Sequence, residues 1–135
     1  MLNIATPKRI LETGKYLDTD YLILKNDIGY RCGYSYVRPH HPWYNIDEYD
    51  LEVEVHGGIT FSEIDTLSEV RWLGFDCAHG GDAADQSLVD YELPSCRFGV
   101  VRTTEYVRKE CESLILQIKR LEFDYLHSVD CSTNR

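Results

Sequence analysis

Residues 70–82 read Val-Arg-Trp-Leu-Gly-Phe-Asp-Cys-Ala-His-Gly-Gly-Asp, a strand-forming run that leads into a glycine-rich turn. The run from Val70 to Phe75 is the most strand-like interior segment, with Trp72 and Phe75 as large core residues. The turn carries polar side chains, and its glycines permit positive φ and close backbone approach. We therefore expect a buried strand that opens into a functional turn.

Upstream of this strand the pattern predicts a β-hairpin. Residues 21–24 are an apolar run, residues 26–29 are typical of a turn, and residues 30–37 are aromatic and β-rich. Before the hairpin, Pro7 predicts a short helix over residues 8–12 that ends at Gly14.

Residues 51–55 predict a third strand. Apolar and acidic residues alternate there with a period of two, which places Glu52 and Glu54 on the solvent face. The turn His56-Gly57-Gly58 follows, and residues 59–61 are predicted to pair back as a second hairpin.

The C-terminal third predicts one amphipathic helix over residues 104–122. Apolar residues recur there at alternating steps of four and three, which forms a single stripe. Ile115 and Leu116 widen the stripe, which indicates either a sheet beneath the helix or a homodimer contact. The expected fold class is α+β, an antiparallel sheet of four to six strands with this long helix packed on one face.

Length and charge restrict the class of protein. The 135 residues predict a single domain over 1–135, with a core over about 19–126 and a frayed tail at 127–135. A net charge of −9 disfavours nonspecific nucleic-acid binding. No leader-like opening and no long apolar run is present, so we expect a soluble cytoplasmic protein without a membrane partner.

Four polar side chains form the sharpest constellation, namely His56, Asp76, His79 and Asp82. If the strands that precede them are neighbours in the sheet, two imidazoles and two carboxylates converge. Such a set can bind a divalent metal such as zinc or manganese for hydrolysis. Alternatively, a histidine acts as a metal-free general base oriented by an aspartate, or all four groups only hold the turns. We assign no metal, although a divalent metal remains one option.

A second constellation surrounds two prolines, with aromatic rings beside cations. Its members are Arg38, His40, His41, Trp43 and Tyr44, preceded by Tyr30, Tyr34 and Tyr36. Such rings can stack on a base while arginine pairs with a phosphate, or they can form an aromatic core corner. The candidate ligand-binding residues are therefore Arg38, His41, Trp43, Tyr44, His56, Gly57, Gly58, His79 and Asp82. Further anion-binding candidates are Arg31, Arg71, Arg97 and Arg102.

Nucleophilic catalysis finds little support in the sequence. Cys77 lies between Asp76 and His79, but no oxyanion hole, nucleophile elbow, phosphate-binding loop or dinucleotide fingerprint accompanies it. The five cysteines show no paired spacing typical of structural zinc, and we predict Cys77 and Cys111 to be reduced core residues. These features favour a binding protein over a catalyst, and the sequence leaves open whether the protein is an enzyme.

Three stretches carry a resemblance. They are Cys32-Gly33-Tyr34 through His41-Pro42-Trp43-Tyr44, the run Val53 to Phe61, and the run Trp72 to Asp82, with Tyr106-Val107 and Glu110-Cys111 following. In order and spacing they resemble a group of small, largely uncharacterised phage and prophage proteins. His40 stands where that group tends to have glycine. The resemblance implies a viral or prophage origin and the cytoplasm of an infected bacterium, and it implies no known activity.

Three hypotheses follow. The first is a phage counter-defence or accessory protein that acts by binding a host protein or a nucleotide-derived small molecule. The second is a small, metal-dependent or metal-free hydrolase that uses His56, Asp76, His79 and Asp82. The third is a structural phage protein whose polar turns only maintain the fold.

Overall fold

A computed structural model describes residues 2–95 and 98–133. The strands are β1 (Ile10–Tyr16), β2 (Thr19–Lys25), β3 (Arg31–Val37), β4 (Phe61–Ile64), β5 (Arg71–Asp76), β6 (Asp82–Ala83) and β7 (Val100–Val101). The helix α1 spans Thr104–Thr133. Two short 3₁₀ turns, Glu48–Asp50 and Gln86–Leu88, lie in the connections.

Five strands form one antiparallel sheet in the order β1-β2-β3-β5-β4. The short strands β6 and β7 pair in parallel beside it. The helix α1 packs against one face of the large sheet, so the predicted α+β class is confirmed.

The sheet separates two apolar layers because strand side chains alternate between faces. On the helix face, Ile23, Leu73 and Phe75 contact buried residues of α1 such as Val107 and Leu114. The other face carries a second cluster, in which Leu2 covers side chains of β2, β3 and β5. Residues of this second cluster are Leu2, Leu22, Leu24, Cys32, Tyr34, Val70 and Trp72.

The central hairpin and the interior strand agree with the sequence prediction. β2 and β3 pair across a turn in which the Asn26 side chain accepts the N–H groups of Ile28 and Tyr30. β5 pairs with β3 on one side and β4 on the other, and both of its faces are buried, which explains the apolar run at residues 72–75.

The predicted helix at residues 8–12 is wrong. This segment enters β1, which pairs with β2 across the two-residue turn Leu17-Asp18. Both turn residues have positive φ, 49° and 61°, as a two-residue hairpin of the favoured handedness requires. Leucine is an unusual residue for that conformation, so the local sequence does not predict the turn.

The predicted second hairpin is also wrong. Residues 51–55 belong to no strand, and residues 61–64 form β4 at the sheet edge beside β5. The alternation of apolar and acidic residues at 51–55 nevertheless has a structural cause, because Leu51, Val53 and Val55 pack against the core on the helix side of the sheet. Gln117 of α1 replaces a strand partner, because its side-chain amide exchanges hydrogen bonds of 2.8 and 2.9 Å with the Glu54 backbone.

The helix begins at the predicted residue and continues past residue 122 to Thr133. Thr103 caps it, since its hydroxyl accepts the N–H of Tyr106 at 3.1 Å. Ile115 is fully buried against the sheet, which accounts for the wide stripe within one chain. No helix in the described ranges combines the length and apolar character needed to span a membrane.

We predict that Gly33→Ala lowers the free energy of unfolding by about 2 kcal/mol, the scale of overpacking a well-filled core. A Cβ at residue 33 would stand 2.5 Å from Phe75 and 2.7 Å from Cys111 of α1, so the helix could not keep its approach to β3. Urea unfolding measures the change. Gly80→Ala is the matched control, because open space surrounds that position. Equal stability of the two variants would contradict this account of the helix–sheet packing.

Candidate functional site

The two glycine turns meet, and the carboxylate of Asp82 joins them. One oxygen of Asp82 accepts from His56 Nε2 at 2.7 Å and from the backbone N–H of His79 at 3.0 Å. The other accepts from Arg102 Nε at 2.9 Å. Only 1% of the Asp82 side chain is exposed. Burial opposes ionisation, but these donors outweigh it and hold the pKa of Asp82 below its usual value.

His56 uses both ring nitrogens within the protein. Because the Asp82 carboxylate only accepts, Nε2 carries a proton and donates to it, and Nδ1 shares a hydrogen bond of 2.8 Å with the Tyr106 hydroxyl. The backbone N–H of His56 donates to Glu110 of α1 at 2.9 Å. His56 therefore fastens its turn to the helix, and neither ring nitrogen is left free to bind a ligand or receive its proton.

His79 is the more accessible imidazole, with 37% of its side chain exposed. Its Nε2 lies 3.2 Å from a carboxylate oxygen of Asp76 and makes no hydrogen bond within the described part of the chain. Asp76 is itself held by the Thr60 hydroxyl at 2.8 Å. Gly57 has φ of +69°, and a Cβ there would stand 2.1 Å from His79 Nε2, so only glycine lets this turn lie against the ring.

We call this group of side chains the glycine-turn cluster, which comprises His56, Asp76, His79, Asp82, Arg102 and Tyr106. The two imidazole rings lie 6.1 Å apart between centroids. The predicted convergence of the two turns is present, although it does not arise from neighbouring strands. Among the described residues, no three His, Cys, Asp or Glu side chains are placed to hold a metal ion.

The second constellation does not join the glycine-turn cluster. His41 and Trp43 are buried in the helix-side core, and Tyr44 packs against that core. The His41 ring connects its loop to α1. Nε2 forms a hydrogen bond of 2.9 Å with the Ile118 carbonyl of the helix, and Nδ1 accepts the Trp43 N–H of the loop at 2.9 Å. These contacts match the aromatic core corner, the alternative that the sequence left open. Tyr34 and Tyr36 instead join the cluster on the other face of the sheet, where the Arg38 guanidinium lies over the ring of Tyr36 at 5.5 Å, and His40 is exposed.

Three of the other predicted anion-binding arginines serve protein groups. Arg31 pairs with Asp85 at 2.9 Å, and Arg102 pairs with Asp82. Arg71 is buried and donates to backbone carbonyls of the loop that follows Trp43, which anchors that loop to β5. Arg97 lies outside the described residues.

Cys32, Cys77 and Cys111 are buried and free. Burial raises the pKa of the Cys77 thiol to about 12 and that of Cys111 to about 12. A thiol of such pKa supplies almost no thiolate at neutral pH, which fits the predicted core role of both residues.

A separate cleft of about 610 Å³ opens on the sheet face opposite the helix. We call it the Trp72 cleft. Trp72 and Tyr36 face each other across β5 and β3, with ring centroids 5.1 Å apart, and line an apolar wall with Leu22 and Val70. Lys15, Asp20, Arg38 and Asp65 supply charges around this wall.

The wall of this cleft contains an unpaired donor. The indole Nε1 of Trp72 is buried and has no hydrogen-bond partner among the described residues. Only 8% of Trp72 is exposed. A buried N–H without an acceptor costs about 1–3 kcal/mol, so most native structures avoid it. Trp72 therefore lines the apolar wall of the cleft and carries an unused hydrogen-bond donor that is shielded from solvent.

Sequence reasoning missed most of this cleft. Lys15 and Asp20 belong to β1 and β2, and the wrong helix prediction for residues 8–12 separated them. Trp72 was predicted as a core residue, and its need for a hydrogen-bond partner was the overlooked signal, since buried indole N–H groups usually find one. Tyr106 was missed because its partner lies 50 residues away.

Comparisons with protein-family models, curated proteins and solved structures give no match to this chain.

We predict that Asp82→Asn lowers the free energy of unfolding by about 2–4 kcal/mol, because removing one member of a buried ion pair leaves its partners uncompensated. Asp90→Asn makes the same chemical change at an exposed position and should alter stability by less than about 0.5 kcal/mol. Urea unfolding of both variants at pH 7 tests the difference. If Asp82→Asn were as stable as Asp90→Asn, the carboxylate would not be what holds the two turns together.

We also predict that acidification from pH 7 to pH 5 destabilises the protein through His41. Burial lowers the pKa of His41, with smaller opposing effects from the Ile118 carbonyl and Glu122. The folded state then binds fewer protons than the unfolded chain, so stability falls as pH drops through the unfolded value near 6.5. In His41→Gln the fall should be smaller.

The exposed neighbour offers a control for this pH dependence. His40→Gln, whose ring lies outside the core, should keep the slope of unfolding free energy against pH. Thermal or urea unfolding at several pH values measures the slope. An unchanged slope in His41→Gln would show that His41 protonation does not control stability in this range.

Proposed function

We propose that the protein acts by binding a nucleotide-derived small molecule in the Trp72 cleft. The observation that carries the proposal is the buried, unpaired indole N–H of Trp72 in the wall of an apolar cleft. Because this N–H is shielded from solvent, a ligand reaches it only by displacing the groups that cover it, and an acceptor placed there then supplies the missing bond while the ligand contacts the apolar wall. Ligand pockets typically combine such a wall with a few placed polar groups.

The remaining lining suits a planar ring that carries an anionic group. Tyr36 is half-buried beside Trp72, and the guanidinium of Arg38 lies over its ring. Guanidinium groups bind phosphate through paired hydrogen bonds, and aromatic side chains favour heterocyclic rings. A nucleotide presents both features at once, with acceptors on the base and a phosphate at a distance from it.

The setting of this activity is also part of the proposal. The resemblance to small phage and prophage proteins suggests a counter-defence role, in which the protein withdraws a nucleotide-derived signal in an infected bacterium. A host protein as the partner is the other form of the binding hypothesis. The cleft supports the small-molecule form because it is a concave site lined by Trp72, a residue with an unpaired donor.

The hydrolase hypothesis has one observation in its favour, the pairing of His79 Nε2 with Asp76 at 3.2 Å, although this nitrogen is shielded from solvent. A histidine oriented by a carboxylate can act as a general base. His56 and Asp82 use their polar atoms within the protein, so they would act as positioning groups. This alternative and the structural role stay predictions.

Nuclear magnetic resonance of ¹⁵N-labelled protein tests the binding proposal, because the chain has two tryptophans and therefore two indole N–H signals. Addition of nucleotides should move the Trp72 indole signal downfield and leave that of Trp43 in place. Trp43→Phe assigns the two signals. Trp72→Phe keeps an aromatic ring but removes the donor, and should weaken binding roughly tenfold.

The result that would overturn the proposal is equally direct. If mononucleotides, dinucleotides and cyclic nucleotides at millimolar concentration leave the Trp72 signal unmoved, the cleft does not bind this class of ligand. If Trp43→Phe and Trp72→Phe weaken binding equally, the ligand does not sit on the Trp72 wall.

A further inference from the structure

We infer that a groove beside residues 117–124 of α1 docks a cationic amphipathic segment of another protein. The groove, which we call the Trp43 groove, has a volume of about 430 Å³ and lies between the helix and the loop that follows β3. Its lining residues differ from those of the Trp72 cleft, and it belongs to the helix side of the sheet. The Trp43 groove is therefore a second site, separate from the proposed nucleotide site.

The floor of the Trp43 groove is apolar and held in place. Trp43 is buried there, and Leu121 packs against the same helix-side core. Ile46 adds an apolar side chain that is 37% exposed. Arg71 of β5 donates hydrogen bonds to the carbonyls of Trp43 and Ile46, which fixes the course of the loop. A surface that is formed in advance binds a partner at a lower entropic cost than one that must first be ordered.

Carboxylates without a cationic partner line this apolar floor. Asp50 and Glu52 come from the loop and Asp124 from α1, whereas Arg120 is the cation among the described lining residues. None of the three carboxylates forms an ion pair within residues 2–95 and 98–133. When Arg120 is counted against one of them, two negative charges remain. Three further carboxylates of the same loop flank the lining residues, namely Asp47, Glu48 and Glu54.

An apolar floor with an acidic lining matches a partner that is apolar on one side and basic at its edges. Helical segments that dock in grooves place apolar side chains on the floor, and their charges meet the rim. Tyr49, next to Asp50 in the chain, is 89% exposed, and its ring can stack on a lysine or arginine of the partner. The net charge of −9 adds a long-range attraction for a basic segment.

The same charges disfavour other occupants of the Trp43 groove. Nucleic acids and anionic lipid surfaces carry negative charge and are repelled by the carboxylates of the lining. A second copy of this chain carries the same net charge of −9 and meets the same repulsion. A basic segment of a different protein is therefore the occupant that the groove favours.

A fluorescently labelled peptide of leucine and lysine at helical spacing tests the inference. We expect it to bind in an anisotropy titration, with an affinity that falls as salt screens the carboxylates. Two comparison peptides change one property each, with glutamate in place of lysine or serine in place of leucine. Both should bind roughly tenfold more weakly or worse. In ¹⁵N spectra the leucine–lysine peptide should move the Trp43 indole signal and leave that of Trp72 in place, the reverse of the result expected for nucleotides.

Two double variants with equal net charge locate the binding surface. Asp50→Asn with Glu52→Gln should weaken the leucine–lysine peptide roughly tenfold, because both carboxylates of the loop lining are lost. Asp90→Asn with Glu92→Gln removes two exposed carboxylates from a loop outside the groove and should change binding by less than about twofold.

A second pair of variants tests the apolar contribution. Ile46→Ser should weaken the leucine–lysine peptide, whereas Ile28→Ser, at an exposed apolar position outside the groove, should leave its affinity unchanged. Urea unfolding of every variant confirms that the fold is kept. Trp72→Phe should bind the peptide as the unaltered protein does, so the two sites are tested independently.

Four results would overturn the docking proposal. One is equal weakening by the two double variants, which would mean that the peptide follows net charge alone. Another is equal binding of the serine or glutamate peptide, which would remove the apolar or the electrostatic part of the recognition. The third is an unmoved Trp43 signal at saturating peptide. The fourth is a dimer of the protein alone in sedimentation that Ile46→Ser converts to a monomer, because the occupant would then be a second copy.

Discussion

The carboxylate of Asp82 ties together three stretches of chain that the sheet alone does not connect. It holds the side chain of His56, the backbone of the turn at His79 and the guanidinium of Arg102 at the start of the helix region. Because only 1% of this side chain is exposed, its charge has no solvent to stabilise it and depends on these donors. The two glycine turns therefore owe their meeting to one buried charge, and Tyr106 extends the connection into the helix.

That arrangement explains why the sequence correctly predicted that the two turns meet, although the neighbouring strands on which the prediction was based are not present. The alternation in residues 51–55 is genuine, yet the partner of this segment is the Gln117 side chain of α1 and not a strand. Periodicity reports which side of a segment is buried, and it cannot report what buries it. The same limit applies to β1, where the positive φ of Leu17 and Asp18 departs from the residues that usually mark a tight hairpin. The central hairpin, β5 and the start of α1 were predictable because local pattern and tertiary packing agree there.

The two faces of the sheet carry different chemistry. The helix face is filled, with Gly33 allowing Cys111 and Phe75 to meet at close range and His41 closing the aromatic corner. The opposite face is covered in part by the N-terminal segment, which leaves the Trp72 cleft beside it. The residues that could be predicted as a site, around His56 and His79, thus lie apart from the cleft, whose polar groups come from strands β1, β2, β3 and β5 and from the segments that follow β3 and β4. No short motif connects those strands, so only the fold brings the cleft residues together.

The positions of the free thiols divide the protein in the same way. Cys32 lies in the cluster on the face that carries the cleft, and Cys111 lies on the side of α1 that packs against the sheet, and both are buried. An alkylating reagent can reach either sulfur only when the layer above it opens transiently. The rates at which Cys32 and Cys111 are modified in the native protein therefore report two different local opening events. One is the opening of the N-terminal segment over the cleft face, and the other is the opening of the helix. A single mass-spectrometric time course can then tell which layer of the molecule loosens first.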